Sequence, residues 1–248
     1  MKLYKYRDLS DPRMSLERLQ TILRTRAFWC ARPDTLNDPE EFAWTCDFTS
    51  SNYTAQLLTE LLIQVKGRSL SEAKSRVARA FNAGDLRSLA EPVISELIQR
   101  CRNEIGLACF GSKADNETLW ERYAGDGAGL CIELEVPNRL LETQLYRVQY
   151  WDRKIIHIDV LLRSYFDRAH AAKLYELSLL SKPLSWAPEE EIRFVSKRQN
   201  VNVVIDGSAI TRVVVGDALS REVYVQLEQL AGTIPLVSRN VKAPANSV

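Results

Sequence analysis

The chain has 248 residues, 46% of them hydrophobic and 26% charged, with 33 Lys and Arg against 32 Asp and Glu. That composition excludes a disordered chain, and a net charge of +1 excludes a uniformly basic protein that coats nucleic acid. No apolar run approaches membrane-spanning length, and the opening Met1-Lys2-Leu3-Tyr4-Lys5-Tyr6 lacks the apolar core of a signal peptide. The expectation is a cytoplasmic protein with no membrane partner.

In chain order, residues 3–6 read as a strand with alternating faces. Ser15 begins a helix in which Leu16, Leu19, Ile22 and Leu23 recur at helical spacing. Residues 27–31 read as a second strand, and 32–41 as a loop rich in Pro, Asp and Asn. Residues 53–102 predict three helices. Lys66-Gly67-Arg68 breaks the first, Ser69 with Glu72 caps the second as a capping box, and Pro92 stands in the first turn of the last. This stretch, about 53–104, is expected to be a helical insertion in a single domain.

Strand character returns at 106–111 and at 130–136, where Leu130, Ile132, Leu134 and Val136 alternate with Cys131, Glu133 and Glu135 as in a half-buried strand. A short helix over 117–123 lies between them and ends in Gly125-Asp126-Gly127-Ala128-Gly129, read as a turn. A strand at 146–150 and one long helix over 158–180 follow. Strands at 201–205 and 212–216, a helix at 220–230 and a strand at 234–237 complete the pattern, and the tail from Lys242 is expected to fray. The order lacks regular strand–helix units, so the expected class is α+β, a mixed or antiparallel sheet core with an inserted helical region.

Five cysteines, Cys30, Cys46, Cys101, Cys109 and Cys131, are scattered without C-x-x-C spacing, and there are two histidines. Buried free thiols in a reducing compartment fit this, and no zinc or other metal site is expected. His157 and His170 have no Ser, Cys or carboxylate partner at motif spacing, which leaves a hydrolase triad without support.

The segment Trp186-Ala187-Pro188-Glu189-Glu190-Glu191-Ile192-Arg193 carries the densest charge. Read as a strand, it sets Glu189, Glu191 and Arg193 on one face, where carboxylates raise one another's pKa and Arg lowers it. Such a row suits a general base or a cation-stabilising carboxylate; a solvent-facing edge strand with a cross-strand ion pair is the alternative. Asn37-Asp38-Pro39-Glu40-Glu41 is a turn by composition, whose amide and carboxylate can also meet a ribose or base. Trp120 and Tyr123 share a helix face, and Tyr4 and Tyr6 a strand face; core packing and an aromatic platform both fit them.

Together these pieces resemble the bacterial domain-of-unknown-function family 2971. The residues that carry it are Tyr4-Lys5-Tyr6; Asn37-Asp38-Pro39 with Glu41; Cys109-Phe110; Trp120 with Tyr123-Ala124; Gly129-Leu130-Cys131-Ile132; and Lys182 with Trp186, Glu189, Glu191 and Arg193. Leu36 and Glu40 stand where the family has aromatics, and Pro188 where it has Tyr. More remotely, the layout is similar to ADP-ribosyltransferases: an aromatic and basic first strand, an amphipathic helix, and a closing Glu-x-Glu.

That resemblance implies an enzyme that cleaves NAD, as a toxin or phage-defence effector acting on a nucleic-acid or protein acceptor. It implies Glu191 as the catalytic carboxylate and Glu189 as its helper. Tyr4, Lys5, Tyr6, Asn37, Asp38, Trp120, Tyr123 and Arg193 would line the NAD site. The histidine of one large branch and the Ser-Thr-Ser motif are missing. A magnesium-dependent nuclease using Asp38, Glu41, Glu189 and Glu191 is the alternative enzyme, and a non-catalytic binding or regulatory domain is the third reading.

Overall fold

A computed structural model describes residues 1–38, 45–49, 51–141, 143–152 and 155–240, apart from the side chains at 12–14 and 101. Pro39, Glu40, Glu41 and the tail from Lys242 lie outside the described residues. The fold is α+β.

The chain opens with β1 (Lys2–Arg7) and α1 (Pro12–Thr25). The helix starts ahead of Ser15 because Pro12 fits the first turn, where its missing N–H costs nothing. It ends at Arg26, whose left-handed φ of 55° turns the chain into β2 (Ala27–Cys30). After the short β3 (Thr45–Asp47) come α2 (Asn52–Gln64), α3 (Leu70–Asn82) and α4 (Leu86–Glu104). Gly67 and Gly84 take the left-handed φ values, 65° and 68°, that punctuate these helices. Ser69 caps α3 by accepting from the Glu72 N–H. Pro92 is not in a first turn: Asp85 caps α4 from its own side chain, so the helix begins at Leu86 and the proline falls inside it.

Next are β4 (Gly106–Phe110), α5 (Glu117–Tyr123), β5 (Leu130–Glu135), β6 (Leu145–Arg147), β7 (Gln149–Trp151) and β8 (Ile155–His157). The expected strand at 146–150 is thus two, parted at Val148, whose N–H donates to the Glu191 carbonyl. The expected long helix is likewise two, α6 (Ile158–Arg163) and α7 (Arg168–Leu179), because Asp167 caps a new helix through the Ala169 N–H. The remaining elements are β9 (Ser181–Pro183), β10 (Ile192–Ser196), β11 (Val201–Val204), β12 (Ala209–Val215), α8 (Arg221–Ala231) and β13 (Leu236–Ser238).

These form two compact units: Met1–Ala31, Gly106–Val148 and Ser185–Val248 make the first, and Arg32–Ile105 with Gln149–Leu184 the second. The helical region therefore takes in more than residues 53–104. Its core joins Leu57, Leu61, Val77, Val93 and Leu97 to Ile156, Leu161 and Leu174. Two pairs of three-residue parallel strands, β3 with β8 and β7 with β9, complete that unit.

The first unit holds a four-stranded sheet ordered β1-β5-β12-β13, a three-stranded antiparallel sheet β4-β10-β6, and the pair β11-β2. A bridge between Tyr4 and Gly111, and another between Ala31 and Leu107, tie β4 to β1 and β2. Leu3, Ile132, Leu134 and Val213 pack with Phe28, Phe110, Ile192 and Phe194 and with Leu19, Ile22 and Leu227 of the helices. The residues of β5 from Leu130 to Leu134 are all buried, so the half-buried strand expected there is corrected. Cys131 on its other face is covered by Tyr4, Tyr6 and Trp120.

Candidate functional site

The segment 186–193 is not a strand along its length. Leu184–Glu189 winds as a 3-10 turn, Glu190 is left-handed with φ 46°, and only from Ile192 does β10 begin. Glu189 and Glu191 therefore do not share a strand face. Nor is this an edge: β10 is the middle strand of its sheet, between β4 and β6. Glu189, Glu191 and Arg193 are 1%, 5% and 0% exposed, which removes the solvent-facing alternative.

The left-handed residue sends the three carboxylates to three places. Glu190 turns outward and accepts from Ser112 Oγ at 2.7 Å and Lys113 Nζ at 2.5 Å. Those bonds hold its carboxyl below the usual range. Glu189 turns toward α5, accepting from Tyr123 Oη at 2.8 Å and Arg122 at 3.2 Å. The Arg122 guanidinium lies 4.7 Å from the Trp186 ring, a cation–π contact. Glu191 accepts from Arg193 Nε at 2.8 Å.

Asn116 holds this segment from outside it. Its side-chain oxygen caps α5 at the Leu119 N–H, while its Nδ2 donates to the carbonyls of Pro188 at 2.8 Å and Glu189 at 3.3 Å. One amide thus ties the helix carrying Arg122 and Tyr123 to the turn carrying Glu189. Asn116 and Arg122 escaped sequence reasoning, although an Asn ahead of Glu117 is an ordinary helix-cap signal and Arg122 lies inside the Trp120–Tyr123 spacing.

Around Glu191 the sheet places Arg193 opposite Cys109 on one side and Tyr146 on the other. Lys5 reaches in from β1, donating to the Cys109 carbonyl at 2.8 Å, its ammonium 5.5 Å from the Phe110 ring. Burial, then the neighbouring Arg7 cation, pushes the Lys5 pKa down to about 8, while Glu191 opposes the shift. Burial and then Glu191 push the Cys109 thiol up to about 12, so it is no thiolate at neutral pH.

The structure thus brings together Lys5, Glu191 and Arg193, and separately Glu189 and Tyr123. The aromatic residues form a third group. Tyr4, Tyr6 and Trp120 are buried together with Leu119, Cys131 and Val214, and Tyr123 packs on them. Tyr6 meets Trp120 edge-on at 5.5 Å and donates its hydroxyl to the Lys113 carbonyl. Trp120 is 1% exposed and donates Nε1 to the Ala114 carbonyl. Core packing is the role these three rings fill; none presents a free face for a nicotinamide. Tyr4, whose pKa burial and Glu133 push up to about 12, lies across from Glu133, which is fully ringed by Lys2, Thr211 and Arg212.

Asn37, exposed, and Asp38, buried, belong to the second unit. Glu41 lies outside the described residues. Each histidine has a carboxylate neighbour close by in the chain: His157 Nδ1 is 3.5 Å from Asp159, and His170 Nδ1 is 2.7 Å from Asp167. These are pairs two and three residues apart at helix starts, a local arrangement that capping explains. Among the described residues no three His, Cys, Asp or Glu side chains gather closely enough to hold a metal ion, and no helix is long and apolar enough to cross a membrane. No family model, curated protein or solved structure matches the chain.

Proposed function

We propose that the first unit is an NAD-cleaving enzyme of the ADP-ribosyltransferase kind, a cytoplasmic toxin or phage-defence effector with a nucleic-acid or protein acceptor. The resemblance to domain-of-unknown-function family 2971 is part of the same proposal. The observation that supports it is the pair of buried carboxylates, Glu191 on Arg193 and Glu189 on Arg122, set on either side of a left-handed residue.

Cleavage of the nicotinamide–ribose bond sends the bonding electrons to nicotinamide and leaves positive charge on the ribose, which a fixed carboxylate stabilises without reorganising. Arg193 keeps the Glu191 carboxylate in one orientation, and burial strengthens its field. Glu189, oriented by Tyr123, suits the ribose hydroxyls or the acceptor's proton. Lys5 supplies a cation near Glu191. The dinucleotide fits this set through its charge and hydroxyls; Trp186, half-buried under Arg122, replaces the buried Tyr4, Tyr6 and Trp120 as the stacking ring.

Purified chain incubated with NAD is expected to release nicotinamide, and Glu191→Gln to lower the rate by about 100-fold or more, assayed at a temperature where circular dichroism shows the variant folded. No release by the wild type, with protein and nucleic-acid acceptors supplied, or an unaffected Glu191→Gln, overturns the proposal. The former would favour a binding module. The magnesium nuclease has no observation behind it, since Glu189 and Glu191 are each engaged by an arginine.

A further inference from the structure

Strand β11 has β2 on one side and, among the described residues, no strand on the other. Its order Val201-Asn202-Val203-Val204 carries none of the charge, proline or bulge that ordinarily blunts a sheet edge. The far side of β2 fixes which backbone groups that edge presents. Ala31 exchanges both of its backbone bonds with Leu107, each at 2.9 Å, so its N–H and C=O point away from β11. Backbone groups alternate in direction along a strand, so those of Cys30 and Phe28 point toward β11. Their partners there are Val201 and Val203. The N–H and C=O of Asn202 and Val204 are therefore turned outward, where no backbone group among the described residues meets them.

The side chains on that face are open as well. Val204 is 45% exposed, and Trp29, opposite Asn202 on the same face of the pair, is 47% exposed. Charge is divided between the two ends of the strand. Lys197 and Arg198 stand exposed just ahead of it, and Asp206 just after it. Among the described residues none of these three is in an ion pair. A second copy of the chain meets all of these groups at once. The register that uses both outward residues of each copy has Val203 on a two-fold axis. Antiparallel pairing then sets Asn202 against Val204 of the second copy, and Val204 against its Asn202, so the outward N–H and C=O groups satisfy one another. The same axis brings the Asp206 end of each strand beside the Lys197-Arg198 end of the other, making the unpaired charges complementary.

We propose that β11 is a dimerisation edge, at which two copies of the chain join their β2-β11 pairs into one continuous antiparallel sheet. Two strands of four residues make a small contact, so the dimer is weak and reversible. The pairing is independent of NAD cleavage and uses none of the residues assigned to it.

Sedimentation equilibrium of the purified chain over about 1–500 µM is expected to show reversible dimers. Val204→Lys, which sets a charge on the open edge, should weaken them at least about tenfold. Asp206→Arg should weaken them several-fold, and adding Lys197→Glu and Arg198→Glu, which reverses both ends together, should restore them. All three charged residues are exposed, so the reversal carries the test should Val204→Lys not fold. Amide exchange reads the register: the Asn202 and Val204 N–H groups should gain protection as concentration rises, while Val201 and Val203 are protected throughout. Wild type that stays monomeric over that range overturns the proposal and leaves the edge to a different extended chain. So does a dimer whose affinity neither Val204→Lys nor Asp206→Arg changes, or one in which Asn202 and Val204 gain no protection.

Discussion

Arg193, on the strand that runs through the middle of its sheet, donates Nε to Oε1 of Glu191, just ahead of that strand, at 2.8 Å with both side chains closed off from water. Such a pair is weak evidence for stability but severe when half of it is removed. Arg193→Met is expected to destabilise the chain by about 3–5 kcal/mol in urea unfolding, because a carboxylate is left buried beside Cys109 and Tyr146. Adding Glu191→Gln should recover part of that loss. Strict additivity of the two substitutions would show that the pair is not coupled.

Glu190 holds φ 46°, a conformation that costs a side-chain-bearing residue about 1 kcal/mol and glycine almost nothing. Its bonds to Ser112 and Lys113 are solvent-exposed and worth about 0.2–1 kcal/mol. Glu190→Ala loses the bonds and keeps the strain; Glu190→Gly loses the bonds and sheds it. The glycine variant is therefore expected to be more stable than the alanine variant by about 1 kcal/mol. Equal denaturation midpoints would mean the turn relaxes to an ordinary conformation once the carboxylate is gone.

That turn also marks where sequence reading stops. Helices announced themselves through local signals: the apolar spacing of Leu19, Ile22 and Leu23, the Ser69 cap, the glycines at 67 and 84. Residues 186–193 offered only alternation, which a strand and an irregular turn share. The groups that bend them, Asn116 and Ser112, stand 72 and 78 residues away in the chain. Alternation misled again in β5, because a second layer, Tyr6 and Trp120 over Cys131, covers what looked like its solvent face. Three-residue strands such as β3 and β8 are too short to show any period. Glu191 and Arg193 were readable as charged neighbours, yet their complete burial was not.

Lys5 gives the chain a testable pH dependence. Its folded pKa of about 8 lies below the ordinary 10.5, so between those values the unfolded chain binds the proton that the folded chain has released. Stability then rises with pH, by at most about 1.4 kcal/mol per unit from this group. Cys109, with its folded pKa raised from 9.0 to about 12, acts oppositely above pH 9, as do Cys30 and Cys46, both raised to about 11. The clean window is pH 8 to 9. Subtracting the urea-derived stability of Lys5→Met from that of the wild type should leave a difference that climbs across it; a flat difference would place the Lys5 titration near its ordinary value.

Asn116 lets the two ends of one amide be tested apart. Asn116→Ala removes the α5 cap and both bonds to the 188 and 189 carbonyls, for an expected loss of about 2–4 kcal/mol. Asn116→Asp keeps the cap acceptor and replaces only the Nδ2 donor, setting a carboxylate against two carbonyl oxygens. Helix α5 should then persist while the turn that aims Glu189 is pushed away, so the bond from Tyr123 to Glu189 is lost. Amide exchange can separate the effects: protection at Leu119 retained and at Glu190 reduced in Asn116→Asp, both reduced in Asn116→Ala. Retained protection at Glu190 in the aspartate variant would mean the Lys113–Glu190 and Arg122–Glu189 ion pairs hold the turn without it.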